Sequence, residues 1–435
     1  MTTALAPPTR SAPAMPEIVD VPLAQGSLHA LRAATPAAFA LAGAIRTAPA
    51  IERGEHLLQQ LVVSLLTCGT QGRDEFAFAE ALESRGASLA FESEPGRVSF
   101  SVRACTADLP VVAELLGDAL RAPCFDEASF LAERQRMIAG LQAIAADPAT
   151  LAADALARAL YPPSHPRHPA DIDTAIAWLD AFTVDDVRRH HHEHFGANTL
   201  RIVAVGDIEP DTAADALSRA FDGWTPHDVR AWPASADAHP PPSTTSTRID
   251  VPDSGHFQVA LGQRFALRCD HPDYAALWLA NHVLGAGFGS RLVASVREAK
   301  GLTYAIRSQL AKPHPDFDGH WQIDLSLSPG MLDAGLAATR ETLARFVDGG
   351  VGTEELDLRR RQAIGAFQIS LATLYGLSET VLFGLESGWG ADHLRSFPER
   401  LRAVDAAQLD RVLRACFMPE TAQVAIAGPF GDADA

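Results

Sequence analysis

Three stretches of this chain recur, in the same order, in its second half, and an internal echo of that kind restricts the fold to two copies of one unit. Val187, Phe195 and Gly206 match Leu409, Phe417 and Gly428 at identical spacings, so a helix, an aromatic and a strand follow one another in each place. The strands themselves, 200–205 and 422–427, alternate alike. A second echo pairs 82–91 with 297–306, each a helix end with a basic residue, a Gly stop and a strand. The third pairs 130–135 with 356–361.

Between the copies lies a Pro/Ser/Thr-rich run, 233–247, with the composition of an extended linker. The expected organisation is therefore an N-terminal arm at 1–16, an N-terminal half at 17–228, a linker at 229–248 and a C-terminal half at 249–430. Residues 99–104 and 321–327 alternate with period two, as half-buried antiparallel strands do, whereas 139–160 and 353–382 carry the three-to-four spacing of helices. Sheets covered by helices give an α+β class.

The chain has 435 residues and 36 Lys+Arg against 54 Asp+Glu, a formal charge of −18. That sign excludes nucleic acid and anionic membrane as expected partners. No apolar run reaches the roughly 20 residues of a membrane span. Cys68, Cys105, Cys124, Cys269 and Cys416 lack C-x-x-C spacing and are expected to be buried small hydrophobes.

Arg297 and Tyr304 stand seven residues apart behind the lead-in 284–292, whose glycines read as a turn rather than a phosphate cradle. The echo positions, Leu82 and Leu89, are apolar, so the polar pair belongs to one half only. Arg297 is expected near a helix end and Tyr304 on the following strand, both facing one cavity. The alternative is structural: an Arg297 ion pair with Glu298 or Asp324, and Tyr304 as a half-buried sheet aromatic.

With this lead-in and spacing, the chain resembles the pitrilysin/insulinase/mitochondrial processing peptidase family of inverted zinc metallopeptidases, over about residues 17–430. The resemblance implies two halves, each a mixed, mainly antiparallel sheet covered by helices, facing each other around a chamber. It also implies a zinc motif H-x-x-E-H, in which two His four apart bind metal and the Glu activates water, with a later Glu as third ligand. Aligned on Gly69-Thr70, that motif falls on Gln60, Val63 and Ser64, and the third ligand on Gly140. An amide, an isopropyl group, a hydroxyl and no side chain at all cannot replace them.

The resemblance therefore implies the non-zinc-binding subunit of a bacterial two-subunit member. Such a subunit binds no metal of its own, pairs with a homologous H-x-x-E-H chain carrying the zinc, and acts on unfolded peptides. Arg297 and Tyr304 would serve in trans, the phenol donating to the oxyanion and the guanidinium orienting the substrate backbone. A non-catalytic structural or peptide-binding subunit, like respiratory core proteins, is a first alternative. A second is a self-sufficient metallopeptidase, because His190-His191-His192-Glu193-His194 also satisfies H-x-x-E-H. Its echo, 412–416, carries no ligands, and the same interval onward reaches Asp270 in an apparent turn, so a solvated His-rich helical face is the expectation there. The arm up to Met15 lacks a secretory pattern. A periplasmic mature form that begins after a removed signal is expected, with a cytoplasmic location as the alternative.

Overall fold

The computed structural model describes residues 17–24, 26–35, 37–47, 54–197, 199–227, 246–311 and 314–431. The expected arm at 1–16 and nearly all of the expected linker lie outside these residues. The last part of that linker does not, because Ser246–Asp250 forms a strand.

The N-terminal sheet is built from β1 (Ile18–Leu23), β2 (Gly26–Arg32) and β3 (Ala38–Arg46), with a small separate ladder of β4 (Gly69–Thr70) and β5 (Arg73–Asp74). It is completed by β6 (Ser88–Glu94), β7 (Arg97–Cys105) and β8 (Arg201–Gly206). The C-terminal sheet holds β9 (Ser246–Asp250), β10 (Phe257–Phe265), β11 (Ile306–Leu310), β12 (Gly319–Leu327) and β13 (Gln423–Gly428). The orders are β1-β2-β8-β3-β7-β6 and β11-β12-β10-β13-β9. Read backwards, the second order reproduces the first without β1, down to the parallel pairing of β2 with β8 and of β9 with β13. The internal echo is thus a duplication of topology.

Among the described residues, eight α-helices belong to the first half: α1 (Glu55–Leu65), α2 (Glu75–Glu83), α3 (Leu109–Arg121), α4 (Glu127–Ile144), α5 (Pro148–Leu160), α6 (Ile172–Ala181), α7 (Val184–His194) and α8 (Pro210–Ala220). Six belong to the second: α9 (Tyr274–Gly285), α10 (Leu332–Gly349), α11 (Thr353–Ser370), α12 (Leu374–Glu386), α13 (His393–Ala403) and α14 (Ala406–Cys416). In β7, Val98, Phe100 and Val102 point into the helical layer, while Arg97, Ser99 and Ser101 face the other half. The alternation seen in the sequence is this division.

The two long helices expected at 139–160 and 353–382 are each broken. Asp147 accepts from the amides of Ala149 and Thr150, and Pro148 takes the first helical position, where its missing N–H costs nothing. Thr373 caps the amide of Gly376 in the same way. Each break lets the second helix cross to the opposite half. Leu156, Leu160 and Ala152 of α5 pack on Ala260, Ala425 and Ala427 of the C-terminal sheet. Leu377, Val381 and Leu382 of α12 pack on Leu31, Ala42 and Val203 of the N-terminal sheet. Each fully buried Leu in these contacts contributes about 1.5–3 kcal/mol, so the exchange fastens the halves reciprocally.

The cysteines depart from expectation in part. Cys269 and Cys416 are buried, but Cys68 and Cys124 are half-buried and Cys105 is exposed.

Candidate functional site

A π-helical segment, Val293–Ala299, buries Val293 and Val296 and carries Arg297 in its last turn. Gly301 ends it at φ +62°, a conformation that favours glycine, with Gly301 N–H bonded to the Arg297 carbonyl. Thr303, buried, then pins the chain to the end of β12: its hydroxyl donates to the Ser326 carbonyl at 2.6 Å and accepts from Ala305 N–H at 3.2 Å. The neighbouring side chain is forced outward. Tyr304 is 84% exposed and lies in the bend before β11, not on the strand.

Arg297 and Tyr304 do come together. The guanidinium carbon sits 4.9 Å from the centre of the Tyr304 ring and 5.6 Å from that of Phe288, itself 77% exposed. The surface ion pair is not formed: Asp324 is engaged by Arg307 at 3.1 Å and by Gln309 at 3.0 Å. With aromatic faces on its flanks, the Arg297 fork keeps its donors for something else. The pair borders a cavity of about 700 Å³ between the first turn of α5 and the inner face of the C-terminal sheet, floored by Gln258, Gln322, Asp324 and Ser326. In the first half the echo positions are packed away, Leu82 and Leu89 belonging to an apolar cluster with Phe78 and Leu115. Phe288 completes the arrangement but was not legible in the sequence, since a lone exposed aromatic carries no pattern.

The zinc-motif positions lie elsewhere. On α1, Gln60 is exposed, Val63 is buried among hydrophobics, and the Ser64 hydroxyl donates to the Leu61 carbonyl at 2.9 Å. Gly140 on α4 is exposed and open space surrounds it. Burial alone would raise the Glu133 carboxyl, but the Arg136 guanidinium hydrogen-bonded to it holds it below the usual range. Among the described residues no group of three His, Cys, Asp or Glu side chains is placed to hold a metal. The residues present do not fit zinc. Gln60 lines a second cavity, of about 530 Å³, with His56, Gln59, Arg158 and Trp178. None of the four motif positions borders the Arg297–Tyr304 cavity, because the two cavities lie toward opposite ends of α5.

The H-x-x-E-H on α7 is not a solvated face. His190 is only 6% exposed, its ring centroid 4.6 Å from that of His194, and its Nε2 has no hydrogen-bond partner. Burial, with the nearby His194, pushes its pKa down to about 3. His191 is tied by Nε2 to the Leu120 carbonyl at 3.0 Å, and burial pushes it down to about 4. His192 and Glu193 point to solvent. Asp270 lies in the turn before α9, in the other half. Two histidines without a third ligand make a poor zinc site.

The chain belongs to the M16 peptidase family. Residues 55–167 match Insulinase (Peptidase family M16), and residues 181–363 match the Peptidase M16 inactive domain. It is 24% identical to an uncharacterized zinc protease of Streptomyces coelicolor, over 81% of this chain and 74% of that one. It is likewise 24% identical to the non-peptidase homolog YmxG of Helicobacter pylori, over 71% of this chain and 70% of the relative. The fold matches the crystal structure of a peptidase M16 inactive domain from Pseudomonas fluorescens with a TM-score of 0.83, 22% identity, and coverage of 95% of this chain and 98% of that one.

Proposed function

We propose that this chain is the metal-lacking subunit of a two-chain M16 peptidase and that it presents Arg297 and Tyr304 to the peptide bond being cut. The observation that carries this reading is the pair of half-buried Arg297 and exposed Tyr304 bordering a cavity of about 700 Å³, with no carboxylate paired to the guanidinium among the described residues. A phenol hydroxyl and a guanidinium fork are the donors a peptide carbonyl needs as negative charge develops on its oxygen. The cavity is of a size for a short extended segment rather than a folded domain.

Gln60, Val63, Ser64 and Gly140 offer no base and no metal, so activation of water falls to a homologous partner carrying H-x-x-E-H and its zinc. In this chain Tyr304 donates to the carbonyl oxygen and Arg297 aligns the flanking backbone. The substrate class is unfolded peptide, and the proposed setting is the periplasm. A peptide-binding subunit without chemistry is the second reading, favoured by the likeness to a non-peptidase homolog.

The test is hydrolysis of a quenched fluorogenic peptide by this chain, by an H-x-x-E-H homologue from the same genome, and by their mixture. Activity confined to the mixture, or strongly raised in it, is expected. A mixture no faster than the homologue would remove the catalytic reading, and chelator-sensitive hydrolysis by this chain alone would overturn it.

A further inference from the structure

The duplication lets a cavity in one half be compared with the equivalent place in the other. The cavity beside Gln60 is enclosed by α1, α6 and the turn between β6 and β7. By strand and helix order α9, α13 and β11 occupy the same places in the second half, and there too they enclose a cavity, of about 570 Å³. Its chemistry is different. Where the first half presents His56, Gln59, Gln60 and Trp178, the second presents Trp278, Phe367, Phe383, Trp389 and Phe397.

Several polar atoms in these walls are used within the protein. Trp389 Nε1 donates to the Cys269 carbonyl at 2.6 Å. The Ser308 hydroxyl donates to Asn281 Oδ1 at 2.6 Å, while Asn281 Nδ2 donates to the Ser308 carbonyl at 3.3 Å. His393 Nδ1 accepts from Arg400 at 3.0 Å, and that guanidinium also covers a face of Trp389 at 4.8 Å. Beside His282, Gln309 and Glu379, the rest of the wall offers a guest mainly ring surface. Ring faces reward flat apolar groups through offset and edge contacts, and the Glu379 carboxylate disfavours an anionic one.

Gln309 borders both this cavity and the one beneath Arg297 and Tyr304. From Tyr304 to Gln309 the chain runs along β11, and five extended residues span roughly 17 Å. We propose that the aromatic cavity is a specificity pocket for a large aromatic side chain, carried by a bound peptide about five residues from the bond held at Tyr304. The peptide as occupant rests on the function proposed above, whereas the preference for an aromatic group rests on the cavity walls alone.

The experiment uses this full chain without any partner, so that it does not depend on hydrolysis. Binding of a ten-residue peptide with a single Phe is measured by calorimetry and by tryptophan fluorescence, which reads Trp278 and Trp389 directly. The comparisons are the same peptide with Ala or Glu in place of Phe, and free N-acetylphenylalanine amide. The Phe peptide is expected to bind at least tenfold more tightly than either variant peptide and more tightly than the free amide. Phe367→Ala, which opens a wall, and Thr380→Trp, which fills the cavity from a half-exposed position, are each expected to remove that preference while circular dichroism stays unchanged. Equal binding of the Phe and Ala peptides, or a preference that survives both substitutions, overturns the pocket. Binding of the free amide as tight as that of the peptide, lost in both variants, overturns the peptide as occupant. Absence of hydrolysis in the two-chain mixture would instead strike the proposed function and leave the aromatic preference standing.

Discussion

The Glu386 carboxylate, at the end of α12, accepts a hydrogen bond from Arg201 Nη1 in β8 at 2.5 Å, joining the helix that crosses from the second half to the sheet it lands on. Arg97 of β7 stands 3.7 Å from the second carboxylate oxygen. Glu386 is 6% exposed, so its removal leaves Arg201 without its carboxylate in a poorly hydrated place, whereas Arg97 keeps Glu94.

Glu386→Ala should therefore loosen the contact between the halves. A fully buried pair broken on one side costs about 3–5 kcal/mol, and because Arg201 is 31% exposed the loss here should be smaller, about 2–3 kcal/mol. Urea unfolding followed by far-ultraviolet circular dichroism measures it. A midpoint within error of the parent would show that the apolar face of α12 suffices.

Acid should weaken the fold well before carboxylates titrate. Burial pushes the pKa of His190, His314 and His393 down to about 3, and of His191 and His320 down to about 4. In the unfolded chain each would take up a proton near pH 6.5. Between about pH 6.5 and 4 the unfolded state thus binds more protons, and stability falls as pH falls through that window, by up to about 1.4 kcal/mol per unit for each histidine. The melting temperature should drop steeply from pH 7 to pH 5, and His190→Leu should make the drop shallower. A profile flat over that range would mean that these rings become protonated without cost.

The duplication was legible because echoes such as Val187-Phe195-Gly206 against Leu409-Phe417-Gly428 mark equivalent ends of α7–β8 and α14–β13. Period-two alternation found β7 and β12, since these two strands present polar residues on one face and apolar ones on the other. The helix breaks were missed although Asp147-Pro148 is a start signal, because helical periodicity on both sides hid the change of packing partner. His190 was misjudged for a related reason: three adjacent histidines read as a polar face, yet a helix turns one of them inward. The aromatic cavity left no local trace, as Trp278 and Phe397 meet only when α9 and α13 pack.

Gly285, at the end of α9, lies against β11 so closely that a Cβ there would fall 2.3 Å from the Ser308 amide nitrogen. Backbone cannot yield as a flexible side chain does. Gly285→Ala should push α9 off the strand that follows Tyr304 and cost about 1–3 kcal/mol. Thermal unfolding reads the loss, and a variant as stable as the parent would show that α9 shifts freely.

Metal analysis should separate α7 from a zinc site. Purified without a polyhistidine tag and dialysed against zinc-free buffer at neutral pH, the chain should carry well under one zinc, and His194→Ala should change nothing. One zinc per chain, lost in His194→Ala, would restore His190, Glu193 and His194 as ligands and base.

Tyr304 is 84% exposed and Arg297 rests against ring faces rather than a carboxylate, so neither is needed for folding, and Tyr304→Phe and Arg297→Ala should leave stability, and assembly with the proposed zinc-bearing partner, unchanged. Their kinetic signatures should differ. In the proposed role the phenol would donate most strongly once charge has developed on the carbonyl oxygen, and such a donor contributes about 3–4 kcal/mol, so Tyr304→Phe should lower kcat by roughly a hundredfold or more with little change in KM. In the proposed role the guanidinium would hold the backbone before and during the reaction alike, so Arg297→Ala should act mainly by raising KM, and Arg297→Lys should restore little, because a point charge cannot reproduce a fork held between two rings. If both variants turn over peptide at the parental rate in the assembled enzyme, the pair does not touch the reacting bond, and the chain is a structural or peptide-holding subunit.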